Sequence, residues 1–532
     1  MKKKLISICF ILFSVFVQAQ DYIKIAENYS QDIYEKQHFN DSSLVFALKP
    51  YIRSTKTNST NIIQDLRKSN QLVKRSKNLF SRLFVNGNLF TDSFKNGAVT
   101  INPLFDLSIG QSNKRIYNFN RGVQFSANIN NKFFISTVVY ENFSAFPTYI
   151  QQYIDSLTVV PGAGKARPNT TNTAFDYNIP RGFFMYAPST NFSVEIGNDK
   201  NFIGSGIRSL ILSDFAYAYP YVKIRSNFGK FSMMNLWSQF VDPSRNWVNQ
   251  NGYEKKFASI NTLTYKGIKN TQLTLYQSLV WTNRDTLGNI NQSFNLYNLV
   301  PFIYMNSLNF NDGSPANSMM GIDLNYKYKK NLFYFQFLVD DFNVSSFLKG
   351  SGFFQQKTGI QIGVKSFDVF KIPNTFLRYE FNTVRPYTYA NKIPQISFTH
   401  YNEALAHPLG ANFKEHILAA HYTRKKLLFE CTLMYALYGK DTQGKSWGQN
   451  IYTSDYESAL GLLSFGNKTL QGLKTTLQFY NIRVNYLLNP VTNMRAFVNF
   501  IHRSEKNTLK NNRENILSIG IATRLFNDSN LF

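Results

Sequence analysis

The sequence predicts an all-β protein: a transmembrane antiparallel β-barrel of about 16–18 strands, preceded by a small N-terminal helical or irregular periplasmic region. Three observations carry this prediction. A short apolar leader opens the chain. No later apolar run approaches the roughly 20 residues that a spanning helix needs. From about residue 98 onward, apolar and polar residues alternate with period two.

The leader comes first. Lys2, Lys3 and Lys4 form a positive patch, and Leu5 to Val17 is an apolar stretch too short for a membrane helix. Val17-Gln18-Ala19 supplies small or branched residues at the cleavage positions, so residues 1–19 read as a signal peptide and Gln20 as the first mature residue. Cys9 lies inside the apolar run with apolar residues after it, which excludes a lipid-anchored cysteine. Removal of the leader leaves only Cys431, so no intrachain disulfide is expected. The net charge of +26 falls to +23 when Lys2, Lys3 and Lys4 go. A nucleic-acid binder can look like this, but an export signal argues against one. Outer-membrane lipids, lipopolysaccharide and capsular polymer suit the charge better as partners. A Lys- and Asn-rich compositional habit is the plain alternative.

Residues 20–95 differ from the rest. Glu27 to Gln37 reads as helical or irregular, and Ile62, Leu66, Leu72, Val73, Leu79, Phe80 and Leu83 form a loose helical stripe. This part is expected to be a periplasmic cap or arm.

Residues 96–532 read as the barrel. Phe333, Phe335, Phe337 and Val339 share one face of a strand, with Tyr334 and Gln336 on the other. Leu473, Thr475, Leu477 and Phe479 alternate with Lys474, Thr476, Gln478 and Tyr480. Leu427, Phe429, Cys431, Leu433, Tyr435 and Leu437 alternate with a face that includes Glu430 and Thr432. Leu517, Ile519, Ile521 and Leu525 alternate with Ser518, Gly520 and Arg524. A soluble β-sandwich alternates too. Strand lengths of about ten residues, and connections that are short and long by turns, favour the membrane barrel, as does the terminal Phe532. Short turns are expected at Ser226-Asn227-Phe228-Gly229, Lys266 to Asn270, Lys329-Lys330-Asn331 and Arg424-Lys425-Lys426. Long polar loops are expected near 150–180, 241–256, 284–318, 387–414 and 440–455.

Three blocks stand out: residues 195–223 (EIGNDKNFIGSGIRSLILSDFAYAYPYVK), 401–415 (YNEALAHPLGANFKE) and 77–110 (KNLFSRLFVNGNLFTDSFKNGAVTINPLFDLSIG). Together they resemble the Wzi-like capsule-assembly proteins, and most nearly the branch that contains the gliding motility protein RemB. The resemblance spans most of the mature chain and is patchy between the blocks. It implies an outer-membrane barrel with an N-terminal helical element, working in attachment of surface polysaccharide or in gliding with its machinery.

Gly197, Gly204 and Gly206 allow close backbone approach, as Gly410 does in the second block. Asp199, Lys200, Arg208 and Asp214 surround the first three with charge, which belongs in a lumen or at a rim rather than against lipid. They are either a lumenal ligand site for a sugar or anion, or a salt-bridged plug, and the plug is the favoured reading. Trp247 beside Arg245 and Trp447 beside Lys445 could stack on sugars; membrane-interface belting is the alternative. His400, His407, His416 and His421 lack metal-ligand spacing, and no metal or cofactor is expected. Gly162-Ala163-Gly164-Lys165 lacks the first glycine and the following Ser/Thr of a phosphate loop, and Gly204-Ser205-Gly206 lacks its third glycine.

The reading is therefore of a non-enzymatic outer-membrane protein that binds or organises surface polysaccharide, in capsule attachment or gliding motility. The alternative is a porin with anion preference. A hydrolase would need a placed nucleophile and base, and no such set is visible.

Overall fold

The alternating segments become strands that each pair with their neighbours in sequence, because successive polar turns return the chain antiparallel to itself. A computed structural model describes residues 22–54, 78–243, 253–282, 296–303, 316–341, Ser345 and 348–527, apart from positions 42, 86, 95, 172, 443 and 463. The expected leader, most of the 61–84 stripe, Arg245, Trp247 and Phe532 lie outside the described residues.

Eighteen strands form one closed antiparallel barrel. They are β1 (Gly97–Gln111), β2 (Arg115–Ile129), β3 (Phe133–Ala145), β4 (Phe175–Ser189), β5 (Phe192–Asp199) and β6 (Tyr219–Phe228). Next come β7 (Phe231–Asp242), β8 (Glu254–Tyr265), β9 (Thr271–Trp281), β10 (Ala316–Tyr328), β11 (Asn331–Asp341) and β12 (Lys357–Phe367). The last are β13 (Thr375–Val384), β14 (Phe413–Arg424), β15 (Leu427–Lys440), β16 (Leu473–Asn489), β17 (Met494–Lys506) and β18 (Asn511–Thr523). Closure is shared along one edge of β1. β18 pairs with Asp106–Gln111, and the short strand Phe90–Phe94 pairs with Gly97–Ile101. The seam thus leaves little backbone unpaired, so the sheet presents almost no open edge.

All hairpin turns at one rim are short, and the other rim carries the long connections 146–174, 200–218, 385–412 and 441–472. The short turns fall at 266–270, 329–330 and 425–426 as the sequence predicts. The fourth sits two residues later than expected: Asn227 and Phe228 remain in β6, and Gly229, at φ +59°, makes the turn with Lys230. A left-handed residue is what a tight hairpin needs, and glycine takes it without a Cβ clash.

Phe333, Phe335, Phe337 and Val339 face outward, while Leu332, Tyr334, Gln336 and Leu338 are buried inside. Leu427, Phe429 and Tyr435, and likewise Leu517, Ile519 and Ile521, also face out. One expected apolar column is reversed. Leu477 and Phe479 are each 1% exposed and point into the bore, where they join a large apolar cluster with Leu210, Ile211, Tyr276 and Phe413. The outward face of β16 is instead Gln478, Tyr480, Ile482 and Val484.

The N-terminal segment also departs from expectation. The helix α1 (Asn28–Gln37) forms within the stretch Glu27 to Gln37 that the sequence marks as helical or irregular. It is not a separate cap, because residues 22–54 run inside the bore at the short-turn end. Lys24 reaches Glu195 and Asp199 of β5 at 3.0 and 2.7 Å. Glu35 meets Lys365 of β12 at 2.5 Å. Asp32 pairs with Arg378 of β13 and with Lys365, and Arg495 of β17 meets Glu27 at 2.9 Å. The short helix α2 (Leu79–Phe84) lies against the start of the barrel, held by Asn489.

Candidate functional site

The site is the filled bore and the loop face above it. Its centre is the connection 200–218 between β5 and β6, which does not arch over the rim but turns into the lumen. Glycine makes this entry possible. Gly204 sits at φ +144°, and a Cβ there would lie 2.4 Å from Gln336 Nε2. A Cβ on Gly206 would lie 2.3 Å from Glu380 Oε2. The polar inward residues of β10 to β13 then bind the plug backbone. The amides of Ile207 and Arg208 donate to the Glu380 carboxylate at 2.8 and 3.1 Å. Leu210 N–H donates to Gln336 Oε1 at 3.0 Å, and Gln336 Nε2 donates to Ile203 O at 3.0 Å. Ser205 donates to Asn325 at 2.6 Å. Glu380 and Gln336 thereby satisfy buried backbone groups and Asn325 a buried hydroxyl, which removes the penalty for burying irregular chain inside the wall.

The charges picked out in the sequence divide between these tasks. Asp199, at the end of β5, takes Arg181 at 2.5 Å as well as Lys24. Lys200 is buried and reaches the Phe215 carbonyl at 3.4 Å; burial pushes its ammonium below the ordinary lysine range, and Arg181 adds to the effect. Arg208 sits 3.7 Å from Glu415, and Asp214 accepts from Asn527 at 2.8 Å. Arg208 and Asp214 both line an internal cavity of about 170 Å³, together with Asp32, Arg378, His421 and Arg483. Lys200 and Asp214 meet in a smaller recess beside Phe526. Gly197 is separate: it belongs to the wall, where a Cβ would crowd Gly182 O at 2.7 Å. Gly410, at φ +72°, lets the 405–412 strap close on Gln449 O.

Sequence reasoning missed the residue that ties the loops together. Glu403 is fully buried and accepts from the amides of Gly162 at 2.6 Å and Tyr217 at 2.9 Å. It thus joins three connections distant in the chain. Burial pushes its carboxyl up to about 7. Its only sequence signal is a charged residue within the 401–415 block. Close by, His400 Nδ1 accepts from the Val241 amide at 3.0 Å, and burial holds this imidazole down to about 3. The four clustered histidines diverge. His407 bonds Glu415 at 2.7 Å, His416 faces out beside the Tyr379 hydroxyl, and His421 faces in against Phe376. No group of three or more His, Cys, Asp or Glu suited to a metal occurs among the described residues.

On the loop face, Lys445 is exposed, whereas Trp447 is half-buried against Gly472 and held by its amide to Asp441 at 2.5 Å. Its indole Nε1 is enclosed.

The barrel is thus filled by its own chain. It shares its fold with Wzi. That Escherichia coli outer-membrane protein, described as involved in group 1 capsule assembly and as a carbohydrate-binding β-barrel, aligns with a TM-score of 0.54 at 11% identity. The alignment covers 95% of this chain and 100% of Wzi. OprD of Pseudomonas aeruginosa aligns at a TM-score of 0.41 and 8% identity over 80% of this chain and 94% of OprD. OccAB2 of Acinetobacter baumannii aligns at 0.42 and 12% over 80% of this chain and 97% of its own. No family model and no curated protein matches the sequence.

Proposed function

We propose that this chain is a non-enzymatic outer-membrane barrel that binds or organises surface polysaccharide through its long-loop face. The observation that carries the reading is the bore itself. Residues 22–54, 200–218 and 385–412 occupy it, and an occluded barrel offers a surface rather than a passage. The exposed apolar residues on the outward faces of the strands support membrane embedding. The fold shared with a carbohydrate-binding barrel supports the ligand class.

In this reading Lys200, Arg208 and Asp214 hold the plug, because each is engaged inside the bore. Polymer contact falls to Lys445, Arg245 and Trp247, with Trp447 stiffening the strap. The test is co-sedimentation of the detergent-solubilised protein with surface polysaccharide from the producing cells. Retention is expected for the wild type and is expected to drop about tenfold for Arg245→Ala/Trp247→Ala/Lys445→Ala, a loss of roughly 1.4 kcal/mol. Equal retention of both overturns the assignment. Planar-bilayer recording is expected to show no stable open state. A steady anion-selective conductance selects the porin alternative instead. The blocks that resemble the gliding branch favour a second reading, adhesion during surface movement. A deletion strain that keeps its surface polymer but fails to spread selects that one.

A further inference from the structure

The short-turn rim carries charge of nearly one sign. Lys230 lies in one turn, Lys266 and Lys269 in the next, then Lys329-Lys330, and Lys425-Lys426. Lys230, Lys269, Lys329, Lys330 and Lys425 are exposed. The acid within these hairpin turns is Asp368, already taken by Lys36 at 2.6 Å and Lys330 at 3.0 Å, and Asp41 of the N-terminal segment shares a recess with Lys230 and Lys266. Immediately on the membrane side of the lysines, outward rings gather: Phe228 stacks on Phe231, which tilts against Tyr265. Lys329 lies over Tyr328 at 5.3 Å, and Lys426 over Tyr486 at 6.0 Å. Rings at an interface with ammonium groups one step farther out match the depth profile of a lipid leaflet, acyl chain then phosphate.

Two turns add apolar tips to this collar. Ile268 is 56% exposed between Lys266 and Lys269. In the turn 368–374, Phe370 is 89% exposed, and Lys371 and Ile372 follow it. That turn holds Asp368, Phe370, Lys371 and Asn374 at φ +52°, +54°, +63° and +62°. Non-glycine residues avoid this left-handed region. A strained backbone that displays a bare phenyl ring beside a lysine has no folding rationale in water, because ring and backbone could both relax. Against a leaflet it has one: the ring enters the acyl boundary while the ammonium stays at the phosphates.

We propose that the short-turn rim is a docking collar for anionic glycerophospholipid headgroups, with Phe370 and Ile268 as apolar pegs between lysines that bind the lipid phosphates. The inference rests on the membrane-embedded reading above but not on the polysaccharide. On the opposite rim, lysines and arginines are interspersed with Asp155, Asp176, Glu457 and Glu505, so the collar belongs to one leaflet.

The test reconstitutes the mature chain in vesicles of phosphatidylcholine with one part in ten phosphatidylglycerol, then excises protein with its annular lipid using a styrene–maleic acid copolymer. Lipid analysis is expected to show phosphatidylglycerol enriched about threefold around the wild type, decreasing with salt. Lys269→Gln/Lys329→Gln/Lys371→Gln/Lys425→Gln is expected to return the ratio to that of the vesicle. The same number of changes on the other rim, Lys255→Gln/Lys474→Gln/Lys506→Gln/Lys510→Gln, is expected to leave it raised. Retention of heat-modifiable mobility on gels verifies that each variant is folded. Absence of enrichment in the wild type, or an equal fall in both quadruple variants, overturns the collar. So does enrichment that survives the first quadruple, or a collar that captures an acidic soluble protein while ignoring the lipid. In a second arm, Phe370→Trp is expected to be quenched by phosphatidylglycerol brominated near the headgroup end of its chains; no quenching removes the peg. Polymer retention measured on the same variants separates this outcome from failure of the polysaccharide reading.

Discussion

The docking of α1 inside the bore depends on Glu35. Its carboxylate is fully buried and accepts from Lys365 at 2.5 Å and from the Tyr51 hydroxyl at 2.7 Å, with Lys49 at 3.5 Å. Lys365 and Lys49 are themselves 1% and 3% exposed, so neither ammonium has water to fall back on. Burial already pushes the Lys49 ammonium down to about 8. Glu35→Gln keeps the shape and an oxygen for Tyr51 but removes the carboxylate beside Lys49 and one of the two on Lys365, whose other is Asp32 at 2.9 Å. Breaking a buried pair from one side costs about 3–5 kcal/mol. Strand pairing around the barrel does not involve Glu35, so the cost falls on docking of residues 22–54 and not on the wall. At the lower figure the ratio of released to docked segment rises by more than about a hundredfold. Hydrogen exchange of the α1 amides in detergent micelles reads this directly, with heat-modifiable gel mobility reporting the intact barrel. Glu35→Gln/Lys365→Met is expected to recover most of the protection, because both charges leave together while Arg378 still holds Asp32. Unchanged exchange in the single variant, or a double variant worse than the single, refutes the reasoning.

Three further outcomes are expected. Gly204→Ala and Gly206→Ala each force a Cβ onto a wall side chain, at 2.4 and 2.3 Å, and are expected to lower stability by about 1–3 kcal/mol in thermal denaturation. The strap around Glu403 and His400 carries opposing pH dependences. The raised carboxyl of Glu403 stabilises most below its unfolded value and loses that contribution as pH rises through about 7. The depressed imidazole of His400 is stabilising above its unfolded value, and its contribution declines as pH falls toward about 3. Between pH 7 and 5 each spans roughly 2–3 kcal/mol, so Glu403→Gln is expected to make the thermal transition fall with acid more steeply than in the wild type; parallel curves contradict this. Finally, Tyr480→Trp is expected to be quenched by brominated lipid and Phe479→Trp to be silent, since only the former faces out.

Much of the barrel was legible because barrel strands announce themselves through a two-residue period, and because turns such as Lys329-Lys330 and Lys425-Lys426 are local chemistry. The block 195–223 was legible as an oddity: glycines and charges in a strand-rich chain have few places to go. What the glycines of that block approach was not legible. Gln336 and Glu380 lie more than a hundred residues away along the chain, and nothing near Gly204 or Gly206 marks them. Glu403 escaped notice for the same reason, since its donors, Gly162 and Tyr217, belong to other connections.

The sequence by itself determined that two unlike faces alternate around a closed wall, and at one rim it placed the turns. It could not say which face looks inward. In an empty barrel an apolar column meets lipid, which would put Leu477 and Phe479 outward. Only the tertiary structure decided otherwise, because the bore holds residues 200–218 and 385–412, whose own Leu210, Ile211 and Phe398 present an apolar surface inside. Periodicity reports a difference between two environments; which of them is the drier is set by chain segments hundreds of residues apart.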